Sequence, residues 1–104
     1  MIVVKRIMLI CSGGMSTSLL CTKIQKSAKE KNIEVEVFAV SEAEMKRRLD
    51  NVDVILLGPQ VRYLLSKIKN DVEGKGIAVD VIESISYGTM NGEAVLKQAM
   101  SLME

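Results

Sequence analysis

The chain has 104 residues, 48% of them hydrophobic and 26% charged, with a formal net charge of +1. These values describe one folded domain over residues 1–104 and exclude a disordered chain. Near-neutral charge, with one Phe, two Tyr and no Trp, excludes nucleic-acid binding by bulk electrostatics or base stacking.

No apolar run approaches the roughly 18–20 residues of a membrane span. The opening "MIVVKRIMLI" holds Lys5 and Arg6 inside its apolar stretch, whereas a secretory signal puts its charges first. A cytoplasmic, reduced setting is therefore expected, and Cys11 and Cys21 form no disulfide framework. With no histidine and two separated cysteines, no metal site is expected, and no cofactor is implied.

In chain order, Arg6–Ile10 reads as the first buried strand. A helix follows from about Ser16 to Lys31, with Leu20, Ile24 and Ala28 on one face; Cys21 reads as a buried residue of that helix. Ile33–Val40 is the second strand, and its alternation over Ile33-Glu34-Val35-Glu36-Val37 suits an edge position. Ser41 and Glu44 form a capping box for a short helix whose apolar side is Met45 and Leu49. Val52–Leu57 is the third strand. Gly58-Pro59-Gln60 opens a helix with Val61, Leu64, Leu65, Ile68 and Val72 in phase, ended by Gly74 and Gly76. Ile77–Glu83 is the fourth strand, Ser84–Gly92 a long loop, and Asn91 the cap of a last helix with Val95, Leu96, Ala99, Leu102 and Met103 inward.

This βαβαβαβα order predicts an α/β fold: a four-stranded parallel sheet, strand order 2-1-3-4, with helices on both faces. In such sheets ligands bind at the carboxyl ends of the strands beside the switch point, where Cys11 ends strand one.

The segment after strand one is Cys11-Ser12-Gly13-Gly14-Met15-Ser16-Thr17-Ser18. Paired glycines let backbone N–H groups converge. Four hydroxyls and a helix N-terminus add donors for a tetrahedral anion. A helix dipole is worth only ~0.3–1 kcal/mol, so direct N–H and O–H bonds must supply most of any lowering of the thiol pKa. Cys11 is expected to have a depressed pKa and to attack phosphorus, with residues 12–18 as the phosphate cradle.

The residues fit other phosphate chemistries less well. A nucleotide P-loop, G-x-x-x-x-G-K-[ST], is missing. A receiver domain would carry an aspartate at the end of strand three, where this chain has Gly58. A cysteine phosphatase pattern, C-x5-R-[ST], meets Thr17 and Ser18 where it needs its arginine. Without that clamp, a phosphocysteine would wait for a partner instead of hydrolysing. A phosphoryl carrier leads; a small phosphatase or arsenate reductase, and an inert interaction module, stay open at this point.

Three stretches, "LICSGGMSTSLL" at 9–20, "DVILLGPQ" at 53–60 and "YGTMNGEAVLK" at 87–97, resemble the IIB component of the lactose/cellobiose class of the bacterial phosphoenolpyruvate-dependent sugar phosphotransferase system. The resemblance implies a fold like that of the low-molecular-weight cysteine phosphatases. It also implies that Cys11 takes a phosphoryl group from the phosphohistidine of a IIA protein. The group then passes to a sugar, a β-glucoside-type disaccharide such as cellobiose or chitobiose, held by a membrane-embedded IIC protein. A freestanding chain looks more like the cellobiose type than the lactose type, whose IIB is commonly fused to IIC. A monomer is expected, with Met15, Pro59, Gln60 and Tyr87 as partner contacts. Arg62 and the Lys46-Arg47-Arg48 run read as solvated helix faces.

Overall fold

The computed structural model describes residues 4–11 and 15–103. Four strands, β1 (Lys5–Ile10), β2 (Val35–Val40), β3 (Val54–Leu57) and β4 (Ala78–Val81), form one parallel sheet in the order β2-β1-β3-β4. The expected topology is therefore observed, with β2 and β4 at the edges.

The central strand explains why both faces need cover. Ile7, Met8, Leu9 and Ile10 are at most 1% exposed, and side chains alternate between faces along a strand. Ile7 and Leu9 join Leu20, Ile24 and Ala28 of α1 (Met15–Glu30) and Val95, Leu96 and Ala99 of α5 (Gly92–Leu102). Leu102 and Met103 pack, partly buried, against that same core. Met8 and Ile10 join Met45 of α2 (Glu42–Met45), Ile68 of α3 (Leu65–Asp71), and Val61 and Leu64 on the other face.

Local chemistry sets the ends. Ser41 Oγ accepts from the Glu44 N–H at 3.4 Å, capping α2. The Glu44 carboxylate accepts from the Ser41 hydroxyl at 3.1 Å, so the two side chains bond each other. Asn91 Oδ1 caps α5 by accepting from the Ala94 N–H at 3.0 Å. Gly74 and Gly76, with φ of +80° and +73°, close the segment after α3. Arg62 and Lys46, Arg47 and Arg48 are exposed, as expected.

Two expectations are corrected. The helix opened by Pro59 is not continuous: Pro59–Leu64 is a 3-10 segment with Val61 at φ −116°, ψ 25°, and α-helix begins only at Leu65. The Val61 N–H donates to the Gly58 carbonyl at 3.0 Å, the i to i+3 bond of a 3-10 turn, in which Val61 and Leu64, three apart, share the buried face. Ser84–Gly92 is not a loop: Ser84–Gly88 forms a short helix, α4. It is held by Ser86, buried with its carbonyl accepting from the Asn91 N–H at 2.9 Å, and by Tyr87 packing on the core. Strand and helix ends otherwise differ from expectation by one to three residues, where pairing or helical bonding stops.

α1 and α5 pack in unusually close contact. A Cβ on Gly92 would lie 2.5 Å from the Lys23 carbonyl carbon and 2.8 Å from the Ile24 nitrogen. Only glycine lets the two backbones meet at that separation.

Candidate functional site

Cys11 follows directly on Ile10, the last residue of the central strand, and is 7% exposed. Its neighbours come from the ends of β3 and β4. The Gly58 N–H donates to the Ile10 carbonyl at 2.9 Å, so the chain leaving β3 stays beside the end of β1. The Ile82 N–H donates to the Leu57 carbonyl at 2.8 Å, bringing in the chain that leads to α4.

Gly58 is the meeting point. A Cβ there would lie 3.7 Å from Cys11 Cβ, 3.6 Å from Tyr87 Cε1 and 2.7 Å from Gln60 Oε1. Gln60 Nε2 donates to the Tyr87 hydroxyl oxygen at 3.0 Å. Two of the residues expected at the partner surface are thus bonded to each other next to the cysteine. Pro59, half-buried, lies between Gly58 and Gln60.

Thr17 stands in the first turn of α1 and is 2% exposed. Among the described residues, its hydroxyl has no hydrogen-bond partner. An unmet buried hydroxyl costs on the order of 1–3 kcal/mol, so a ligand or ordered water is its natural complement. Ser18 is exposed, and its carbonyl accepts from the Thr22 hydroxyl at 3.2 Å. Ser12, Gly13 and Gly14 lie outside the described residues, as do the side chains of Met15 and Ser16.

Cys21 faces a different environment. Burial, and then the neighbouring Cys11, push its thiol from an ordinary 9.0 up to about 11. At neutral pH it is a protonated, poorly nucleophilic packing residue. Asp53, at the start of β3, accepts from the Arg6 N–H at 2.8 Å through Oδ2. It ties strand starts together at the end of the sheet away from Cys11.

Sequence reasoning missed Gly58 as a site residue, because its role depends on the approach of three chain segments. It also missed the exposed apolar residues Leu19, Tyr63 and Ile85, at 50%, 74% and 80% exposure. Each lies within the first five residues of the element that follows β1, β3 or β4, elements that begin beyond the strand ends where Cys11 lies. Tyr63 and Ile85 fall outside the apolar periodicity, which was the available signal.

The profile of the family described as "PTS system, Lactose/Cellobiose specific IIB subunit" matches residues 6–98. The chain belongs to this IIB family. An oligo-beta-mannoside-specific EIIB component of Bacillus subtilis (strain 168) is 39% identical over 99 residues, covering 95% of this chain and 96% of that one. A galactose-specific EIIB component of Lactococcus lactis subsp. cremoris is 42% identical, with the same coverage, 95% and 96%. The solution structure of a cellobiose-specific IIB component from Borrelia burgdorferi superposes with a TM-score of 0.79 at 41% identity, covering 96% of this chain and 92% of that one. More distantly, a lactose-specific EIICB component of Staphylococcus epidermidis is 29% identical over 88% of this chain, which spans 16% of its length. This IIB chain is thus a component of a sugar phosphotransferase system, and in some relatives the IIB unit is fused to IIC. Among its own described residues, no helix is long and apolar enough to cross a membrane.

Proposed function

We propose that this IIB protein carries a phosphoryl group on Cys11 between two protein partners. The Cys11 thiolate attacks the phosphorus of a phosphohistidine on a IIA protein. The P–N bond breaks, the P–S bond forms, and the imidazole leaves as the IIA product. A hydroxyl of a sugar held by IIC then attacks the same phosphorus. The P–S bond breaks as the O–P bond forms, the hydroxyl proton passes to solvent, and the Cys11 thiolate returns.

The observation that carries this reading is the placement of Cys11. It lies at the carboxyl end of the central strand, at the switch point, just ahead of a 16-residue helix whose first turn holds the Thr17 hydroxyl, buried and without a hydrogen-bond partner among the described residues. Residues 12–18 form the phosphate cradle, with backbone N–H groups and hydroxyls as donors. The rim of Met15, Pro59, Gln60 and Tyr87, widened by Leu19, Tyr63 and Ile85, receives IIA and IIC in turn. Such encounters suit small, transient interfaces. The protein works in the cytoplasm as a monomer and meets the inner face of the membrane through IIC. Its sugar is a β-glucoside-type disaccharide, cellobiose, chitobiose or similar. The relatives' names span several sugars, in keeping with sugar choice residing in IIC.

The test is intact-protein mass spectrometry after incubation with phosphoenolpyruvate and the general phosphotransferase proteins, with and without a matching IIA. One phosphoryl group that appears only with IIA, survives Cys21→Ser and is absent in Cys11→Ser is expected. No uptake with several IIA proteins, or turnover of a generic aryl phosphate, overturns the carrier reading.

A further inference from the structure

Both open edges of the sheet are covered by a glutamine side chain. At β2, Gln25 of α1 donates from Nε2 to the Val35 carbonyl at 2.7 Å, and its Oε1 accepts from the Val37 N–H at 3.1 Å. At β4, Gln98 of α5 donates from Nε2 to the Val81 carbonyl at 2.8 Å, and its Oε1 accepts from the Glu83 N–H at 3.3 Å. Each amide therefore spans a carbonyl at one residue and an N–H two residues later. Those are the groups through which an edge strand would bond an added strand.

The groups concerned point away from the sheet. The Glu34 carbonyl accepts from the Lys5 N–H of β1, so by the two-residue period of a strand Val35, Val37 and Ala39 face outward. The Ile82 N–H bonds inward to Leu57, which leaves Val81 and Glu83 outward. The two edges are not equally closed. At β4 the Val81 N–H is also taken, by Asp80 Oδ1 at 2.8 Å, so three successive groups are occupied. At β2 Gln25 covers two, and Ala39, the next outward residue, is exposed. A groove of about 620 Å³, lined by Gln25, Lys26, Lys29, Val35 and Val37 among others, runs along this edge.

We propose that Gln25 and Gln98 are edge guards that keep this chain from pairing, strand to strand, with a second copy of itself. The weaker seal is at β2, and a β2 edge is self-complementary: two copies related by a two-fold axis can pair their β2 strands antiparallel. The guard acts by side-chain substitution for the missing strand.

The test is sedimentation velocity under reducing conditions, from micromolar to near-millimolar protein, on wild type, Gln25→Ala, Gln98→Ala and Gln25→Ala/Ala39→Pro. Wild type should sediment as one protomer. Gln25→Ala should move to twice that mass as concentration rises, and Gln98→Ala less so, because Asp80 still covers Val81. Proline at Ala39 removes an outward N–H without touching the inner ladder, and should return Gln25→Ala to one protomer. If Gln25→Ala does not fold, amide exchange in wild type decides: Val37 should exchange about tenfold slower than Ala39, the scale of one net hydrogen bond. A folded Gln25→Ala that stays monomeric, a dimer indifferent to Ala39→Pro, a wild type already paired through β2, or equal exchange at Val37 and Ala39 would each overturn the proposal.

Discussion

Gln60 and Tyr87 are 27 residues apart and joined by a 3.0 Å hydrogen bond across the top of Gly58, next to Cys11. The bond couples the 3-10 segment after β3 to the helix after β4. If it acts as one unit on the carrier, Gln60→Ala and Tyr87→Phe should each slow phosphoryl transfer from IIA about three- to tenfold, the range of a net hydrogen bond of about 0.5–1.5 kcal/mol. The double variant should be no slower than either single one. Gly58→Ala should match them, because its methyl displaces the Gln60 amide from 2.7 Å. Single-turnover rates with purified IIA check this.

Thr17 separates stability from activity. Valine at 17 removes a buried hydroxyl that has no partner among the described residues while keeping the shape, and should raise unfolding stability by about 1 kcal/mol in urea titrations. The same change should slow phosphoryl uptake. Thr17→Ser, which keeps the hydroxyl, should restore most of the rate.

The two cysteines should respond differently to alkylation and to pH. With its thiol pushed up to about 11, Cys21 should resist iodoacetamide at a pH of about 8, so that one adduct forms, on Cys11. The folded state holds the Cys21 proton more tightly than the unfolded chain does. Its contribution to stability is therefore complete below pH 9.0 and declines as pH rises from there through about 11. Cys21→Ala should remove that part of the alkaline decline. In Cys11→Ser the Cys21 titration should move down yet stay above 9.0, because burial is the larger cause.

Gly92→Ala should destabilise the fold by about 1–3 kcal/mol or more, through overpacking of α5 on α1. The new methyl meets backbone at 2.5 Å, and backbone has no rotamer by which to yield. Thermal and urea denaturation measure the loss.

Ile85, 80% exposed on α4, offers a surface test. Ile85→Asp should leave stability within about 0.5 kcal/mol and raise the concentration of IIA needed for half-maximal transfer. Tyr63→Asp should act alike if both lie on the docking rim.

What was legible in the sequence was local. β1 and β3 were legible because a strand buried on both faces has little room for polar residues, and β2 because its Val-Glu-Val alternation marks an edge strand with one wetter face. Cys11 and its hydroxyl-rich loop stood out because all the donors lie within eight consecutive residues. Helix α4 was hidden: Ser84-Ile85-Ser86-Tyr87-Gly88 has poor helix propensity and is held by contacts of Ser86 and Tyr87 with other parts of the chain. The break at Val61 was hidden because apolar spacing alone does not separate 3-10 from α-helix. The Gln60–Tyr87 bond and the two glutamine edge contacts were out of reach as well. They depend on which elements become neighbours in the sheet.

The packing of α5 on α1 also bears on synthesis. The apolar stripe of Leu20, Ile24 and Ala28 finds part of its cover in Val95, Leu96 and Ala99, residues translated near the other end of the chain. At roughly 5–20 residues per second, several seconds separate emergence of the stripe from arrival of its cover. During that interval the nascent chain presents sticky helical surface to the ribosome exit and to whatever chaperone waits there.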